Sequence, residues 1–115
     1  MLLFVATEVY SLVEINDYPE HFVPNAERVE ATREIARDYW RKRWLIVKKS
    51  IKGDLYLLPS GSCLADIYIT VVSRWAQQEQ WRASHLPKVD RLTVAVAARA
   101  SCAEVWRQNL PARFE

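Results

Sequence analysis

Glycine and cysteine are both scarce in this chain of 115 residues, and their scarcity narrows the choice of fold. The two glycines are Gly53 and Gly61. Sheets joined by tight hairpins usually need more glycine in their turns, so the composition favours helices. The two cysteines, Cys63 and Cys102, form no CxxC motif. Two isolated thiols in a chain with many apolar residues indicate a reducing compartment, and we expect the protein in the cytoplasm.

A strong charge of one sign and a long apolar run are also absent from the sequence. The formal net charge is +2, whereas a nucleic-acid-binding domain is more often strongly basic. The apolar N-terminal stretch, residues 1–6, is short, has no basic region, and is followed by Glu8 and Glu14. It matches neither a signal peptide nor a membrane span, and we expect no membrane partner.

Apolar residues are abundant and recur at helical spacing. Half of the residues are hydrophobic, which suffices for one domain with a core that needs no disulfides. The apolar run 55–58 could form a short strand, but no partner strand is visible, so we predict a loop there and a polar connection over 77–84. The spacing predicts an all-α fold, a single helical domain over residues 1–115 with five helices at about 2–15, 26–51, 64–78, 85–97 and 101–109.

The third predicted helix is apolar on nearly every side, which is typical of a helix at the centre of a domain. The residues that we expect it to bury recur three and four apart: Leu64, Ile67, Tyr68, Val71, Val72 and Trp75.

The second predicted helix carries its acidic residues first and its basic residues last, an order that the helix dipole favours. Trp40 and Trp44 share one face, as core residues do. Because aromatic and basic residues interleave over 38–44, contact with a nucleic acid is the alternative interpretation. The charge gradient explains the same residues without a ligand, and we expect no nucleic-acid partner.

Several stretches of the sequence resemble the motifs of one known family. Residues 53–58 and 63–68 are similar to a "g-x-x-y-l-l" run and to the "[S/T]-I-A-D" motif that opens the central helix in the C-terminal domain of the glutathione transferases. Residues 85–89 resemble the start of its next helix, and 105–114 its closing helix and tail. Residues 17–22 resemble its "Y-P-E-R-F" landmark. The resemblance covers nearly the whole chain and implies a five-helix orthogonal bundle.

The resemblance assigns a structural role to Cys63 and Asp66. In the family a Ser or Thr caps the central helix, and the Asp three residues later bonds back to the N–H of the cap. Here Cys63 takes the cap position, where its thiol is a weak acceptor, and Ser62 could replace it if the helix began one residue earlier. We expect loss of the Asp66 carboxylate to cost roughly 1–2 kcal/mol. A reactive thiol is the alternative interpretation of Cys63.

The resemblance also implies a part that this sequence does not contain. In the family an N-terminal thioredoxin-like domain binds glutathione and holds the catalytic Ser, Tyr or Cys. We expect that domain to be absent, so the chain would hold no catalytic residue and no cofactor, and glutathione would enter only through the missing domain. His21 and His85 have no companion ligands at metal-binding spacing, so we expect no metal site.

What would remain is one wall of a hydrophobic substrate pocket. The alternative for each candidate residue is ordinary core or surface packing. We expect the partner to be a second copy, which would dock through the first two helices, or a thioredoxin-like domain. A free-standing interaction module without catalysis is the competing hypothesis. The pocket candidates on the first helix, the central helix and the tail are Thr7, Tyr10, Ser11, Trp75 and Phe114.

Overall fold

The computed structural model describes residues 1–76 and 78–109, and within these ranges it contains helices and no strand. The all-α fold is therefore confirmed. The loop after the second long helix holds only an isolated bridge between Leu58 and Gly61, as expected for a run without a partner strand.

The first helix, which we call the N-terminal helix, runs without interruption over residues 2–17. It consists of α1 (Leu2–Phe4), a π-helical segment (Val5–Val9) and α2 (Tyr10–Asp17). In the π segment the N–H of Tyr10 donates to the carbonyl oxygen of Val5, five residues back. The helix buries Val5, Val9 and Val13 and leaves most of its other apolar residues on the surface. Such widened turns occur frequently at functional sites.

The second long helix, α3 (Val29–Ser50), follows two short 3-10 turns at Pro19–His21 and Ala26–Arg28. It buries Ala36, Trp40, Trp44 and Val47, which recur at four, four and three residues. The rings of Trp40 and Trp44 meet edge to face, with centroids 5.7 Å apart. Both side chains are fully buried, so neither can stack on a nucleic-acid base.

The central helix, α4 (Leu64–Val72), follows the N-cap residue Cys63, and Asp66 stabilises that end of the helix. Cys63 occupies the N-cap and Asp66 the third helical position, so Ser62 lies outside the helix. One carboxylate oxygen of Asp66 accepts the N–H of Cys63 at 2.7 Å. The other accepts the N–H of Leu57 at 2.8 Å, which ties the preceding loop to the helix. The sequence indicated the first bond and gave no sign of the second.

The structure corrects the predicted number of helices from five to six within the described ranges. The central helix ends at Val72, because Ser73 and Arg74 form a turn and Ala76 adopts a positive φ of 66°. A further helix, α5 (Glu79–His85), occupies the segment that we predicted as a polar connection. Its polar pattern is misleading because Arg82 is buried, donating from Nε to Asp90 at 2.9 Å and from a terminal nitrogen to the Ser73 carbonyl at 3.2 Å.

The last two described helices complete the domain. They are α6 (Pro87–Ala97), which has a proline in its first turn, and α7 (Ala100–Asn109). One core joins the N-terminal helix, α3, α4 and α6. Its fully buried apolar side chains are Val5, Val9, Trp40, Trp44, Val47, Ile69, Val72, Leu86, Val89 and Leu92.

Candidate functional site

Two of the predicted pocket residues, Tyr10 and Trp75, lie against each other. Their rings meet edge to face with centroids 5.4 Å apart, although the two residues are far apart in the sequence. They line a shallow cleft of about 240 Å³ together with Glu14, Asp17 and Tyr18. Tyr10 remains 45% exposed, so its ring is available to a ligand or a partner.

The other predicted pocket residues are not brought to this cleft. Thr7 and Ser11 are exposed, and each hydroxyl donates at 2.9 Å to the carbonyl four residues earlier in the same helix. Such bonds are the usual local use of a helical Ser or Thr. Phe114 lies outside the described residues.

An apolar groove of about 460 Å³ runs between the N-terminal helix and α4. Among the residues that the structure describes, no charged side chain lines it. Leu64 is 68% exposed there, and Ile67 is also exposed. Both were predicted to be core residues, and the structure places them on the surface instead, because Ala65, Ile69 and Val72 form the inward face of α4. The residues that line the groove are Leu2, Ala6, Leu64, Ile67, Tyr68 and Val71.

A second apolar slot of about 340 Å³ lies between α4 and α7. It shares Ile67 and Val71 with the groove and Trp75 with the Tyr10 cleft. The buried hydroxyl of Thr70 faces this slot and has no hydrogen-bond partner among the residues that the structure describes. The groove and the slot thus follow one side of α4, which we call the α4 face, and the Tyr10 cleft adjoins the slot at Trp75, beyond the end of the helix. A hydroxyl on an apolar wall is the usual composition of a small-molecule site.

Neither histidine is arranged for chemistry on the α4 face. The ring of His21 stacks on Tyr18, and that of His85 stacks on Trp81 and contacts the Trp81 carbonyl at 2.9 Å. Within the described ranges, no three His, Cys, Asp or Glu side chains are grouped as a metal site would require. The α4 face and the adjoining Tyr10 cleft can therefore offer apolar surface and the exposed Tyr10 ring to a ligand.

Comparison of the chain with protein families, curated proteins and solved structures finds a similar curated protein. No protein-family model and no solved structure matches the chain. Over 109 residues, 95% of the chain, the sequence is 20% identical to the uncharacterized GST-like protein YncG of Escherichia coli strain K12. The chain is thus similar, along nearly its whole length, to one GST-like protein. It spans 52% of the length of that relative. No helix in residues 1–76 and 78–109 is long and apolar enough to cross a membrane.

Proposed function

We propose that the chain is the C-terminal helical part of a glutathione-transferase-like protein, in which the α4 face forms one wall of the hydrophobic substrate pocket. The observation that carries this proposal is the uncharged groove between the N-terminal helix and α4. Contiguous exposed apolar surface on a small domain marks a binding or docking site. The similarity to a GST-like protein along 95% of the chain supports the assignment of that surface to a transferase-like pocket.

In this proposal the chemistry is shared between two domains. A thioredoxin-like domain supplies glutathione as a thiolate, whose sulfur forms a bond to an electrophilic carbon while the leaving group departs with the bonding electrons. The chain supplies apolar surface that holds the electrophile, with Tyr10 and Trp75 at one end and Thr70 beside them. It contributes no catalytic group, and by itself it is inactive.

The proposed partners dock on two different surfaces. The thioredoxin-like domain covers the α4 face and the exposed N-terminal side chains, among which Leu3 is 75% exposed. A second copy docks along the N-terminal helix and α3, where Ile35, Tyr39 and Ile46 form an exposed stripe at helical spacing. The two free cysteines, Cys63 and Cys102, agree with a cytoplasmic location.

A matched pair of leucine variants tests the role of the α4 face. Leu64→Asp changes the groove, whereas Leu55→Asp changes an exposed leucine in the loop before α4. Each purified variant is titrated with 1-chloro-2,4-dinitrobenzene, an apolar electrophile, and binding is followed by tryptophan fluorescence. We expect Leu64→Asp to weaken binding roughly tenfold and Leu55→Asp to change it less than about twofold. Equal effects of the two variants would contradict the proposed wall.

Two further measurements separate this proposal from its alternative, a free-standing interaction module. The unmodified chain is passed over immobilised glutathione, and retention would contradict the assignment of glutathione to another domain. In the alternative, the exposed stripe on α3 binds another protein instead of a second copy. Reading the coding sequence upstream of Met1 decides between them, because an in-frame thioredoxin-like domain is required by the first proposal and excluded by the second.

A further inference from the structure

A second cleft, of about 640 Å³, lies away from the groove and contains buried charge. Arg74 and Arg82 are 6% and 4% exposed, and both line it. A terminal nitrogen of Arg74 and the Nε of Arg82 donate to the same oxygen of Asp90, at 3.1 and 2.9 Å. One carboxylate oxygen therefore accepts hydrogen bonds from two guanidinium groups. Burial, followed by the neighbouring charge of Arg82, lowers the pKa of Arg74.

Two residues that line this cleft each have a buried polar atom without a partner among the described residues. These atoms are the Nε of Arg74 and the hydroxyl oxygen of Thr93. Thr93 is only 1% exposed. An unsatisfied buried polar group costs roughly 1–3 kcal/mol, so such groups usually have a partner. A guanidinium donor and a hydroxyl donor both fit an anionic oxygen.

The charges on the cleft walls leave room for an anion. Three arginines and two carboxylates line it. Arg107 forms an ion pair with Glu104 on the surface of α7, and Glu79 is the weakest of the charged groups that act on Arg74. The buried pair Arg74 and Arg82 is thus balanced chiefly by Asp90, which is itself partly exposed. The two buried guanidiniums thus share one close carboxylate, and a second anion beside them would add a favourable contact.

The rest of the cleft is apolar, and its size suits a small molecule. Cavities of roughly 300–1,000 Å³ with apolar walls and a few polar groups are typical of ligand sites. The guanidinium fork matches the planar geometry of a carboxylate. The apolar walls come from α6 and α7 and comprise Val94, Ala97, Ala98, Ala103 and Trp106.

We propose that this cleft binds a small organic carboxylate, whose anionic group meets Arg74 and Thr93 and whose apolar body lies between α6 and α7. The site goes beyond the proposed transferase function, since it needs neither glutathione nor a second domain. Trp106 lines both this cleft and the slot on the α4 face, so a ligand here would also contact the wall of the slot.

The carboxylate requirement is tested by titration calorimetry of the full chain with 4-phenylbutyrate and with its neutral amide. The two probes share one apolar body. We expect the carboxylate to bind at least about tenfold more tightly than the amide, and a rise in salt to weaken only the carboxylate. Equal affinity of the two probes would overturn the proposal, because the cleft would then recognise apolar surface alone. Inorganic phosphate binding as tightly as the carboxylate would also overturn it.

Two matched substitutions, each replacing an alanine on α7 with leucine, locate the site without removing a buried charge. Ala103→Leu fills the cleft, whereas Ala100→Leu adds the same side chain to the same helix outside the residues that line it. Both positions are exposed, so both variants should fold, and thermal melts check this. We expect roughly tenfold weaker carboxylate binding for Ala103→Leu and less than about a twofold change for Ala100→Leu. Undiminished binding by Ala103→Leu would place the carboxylate elsewhere and overturn the proposal.

Thr93→Val tests the polar end of the site. Valine keeps the shape of threonine and removes the unpartnered hydroxyl, so the apo protein should lose little stability. We expect carboxylate affinity to fall roughly fivefold and amide affinity to stay within about twofold. An equal fall for both probes would show that the hydroxyl does not meet the anion.

Discussion

Replacing Asp66 with alanine should lower the free energy of unfolding by about 3 kcal/mol, which is more than a single helix cap provides. The side chain is fully buried, and its two oxygens accept the N–H groups of Leu57 and Cys63 at 2.8 and 2.7 Å. Leu57 is buried, so its N–H would lose its partner with no water to replace it. Cys63 is half-buried, so the loss there is nearer the lower end of the range, about 1 kcal/mol.

Asp66→Asn should be the milder change, with a loss of about 2 kcal/mol. Asparagine keeps one acceptor oxygen, but it presents an amide N–H₂ group to the other backbone N–H, and two donors cannot bond. The matched control is Asp54→Ala, which removes an exposed carboxylate from the same loop and should change stability by less than about 0.5 kcal/mol.

Urea unfolding at neutral pH, followed by tryptophan fluorescence and circular dichroism, measures these losses. Hydrogen exchange of the Leu57 amide supplies a local readout, since that amide should exchange faster in Asp66→Ala than in the control. A loss below about 1 kcal/mol, or one that Asp54→Ala matches, would refute the argument that Asp66 joins the loop to α4.

Three further changes have expected outcomes that denaturation can check. Cys63→Ser should stabilise the protein by about 0.5 kcal/mol, because a hydroxyl caps better than a thiol, while Cys102→Ser should give no gain. Gly53→Ala should cost about 1–3 kcal/mol, because an added Cβ would lie 2.5 Å from two backbone carbonyl oxygens; Ser60→Ala in the same loop should be neutral. Asp90→Asn should lower the free energy of unfolding by about 2 kcal/mol, because two buried guanidiniums lose their carboxylate partner. The loss is moderate because the Asp90 side chain is partly exposed to water.

The sequence predicts the helices best where burial follows from hydrophobic spacing. Trp40 and Trp44 belong to the core, as their shared face indicated. The helix α5 was missed for the opposite reason, because its buried residue is Arg82 and its polar pattern is that of a solvated connection. The carboxylate that stabilises Arg82 lies on another helix, eight residues later, and no local pattern pairs the two. Tertiary contacts decide the structure of such a segment.

The candidate site could be predicted only in part. Tyr10 and Trp75, which the resemblance assigns to one pocket wall, are in contact with each other. Thr7 and Ser11 were assigned to the pocket wall because the resemblance places the first helix there, and in the structure their hydroxyls donate to backbone carbonyls of the same helix. The sequence pattern could not show that the Thr70 hydroxyl is buried without a partner among the described residues, since this depends on how α7 packs over α4.

The apolar character of α4 on all sides is explained by two separate surfaces. Its inward residues fill the core, whereas Leu64 and Ile67 remain exposed on the other side. Burying a whole Leu or Ile side chain yields roughly 1.5–3 kcal/mol, so covering the exposed parts of these two would yield about 2–3 kcal/mol. A helix that is apolar all round normally has neighbours all round, and within the described chain α4 lacks one on this side. The same surface that stabilises a docked domain would therefore promote association of the chain when that domain is absent.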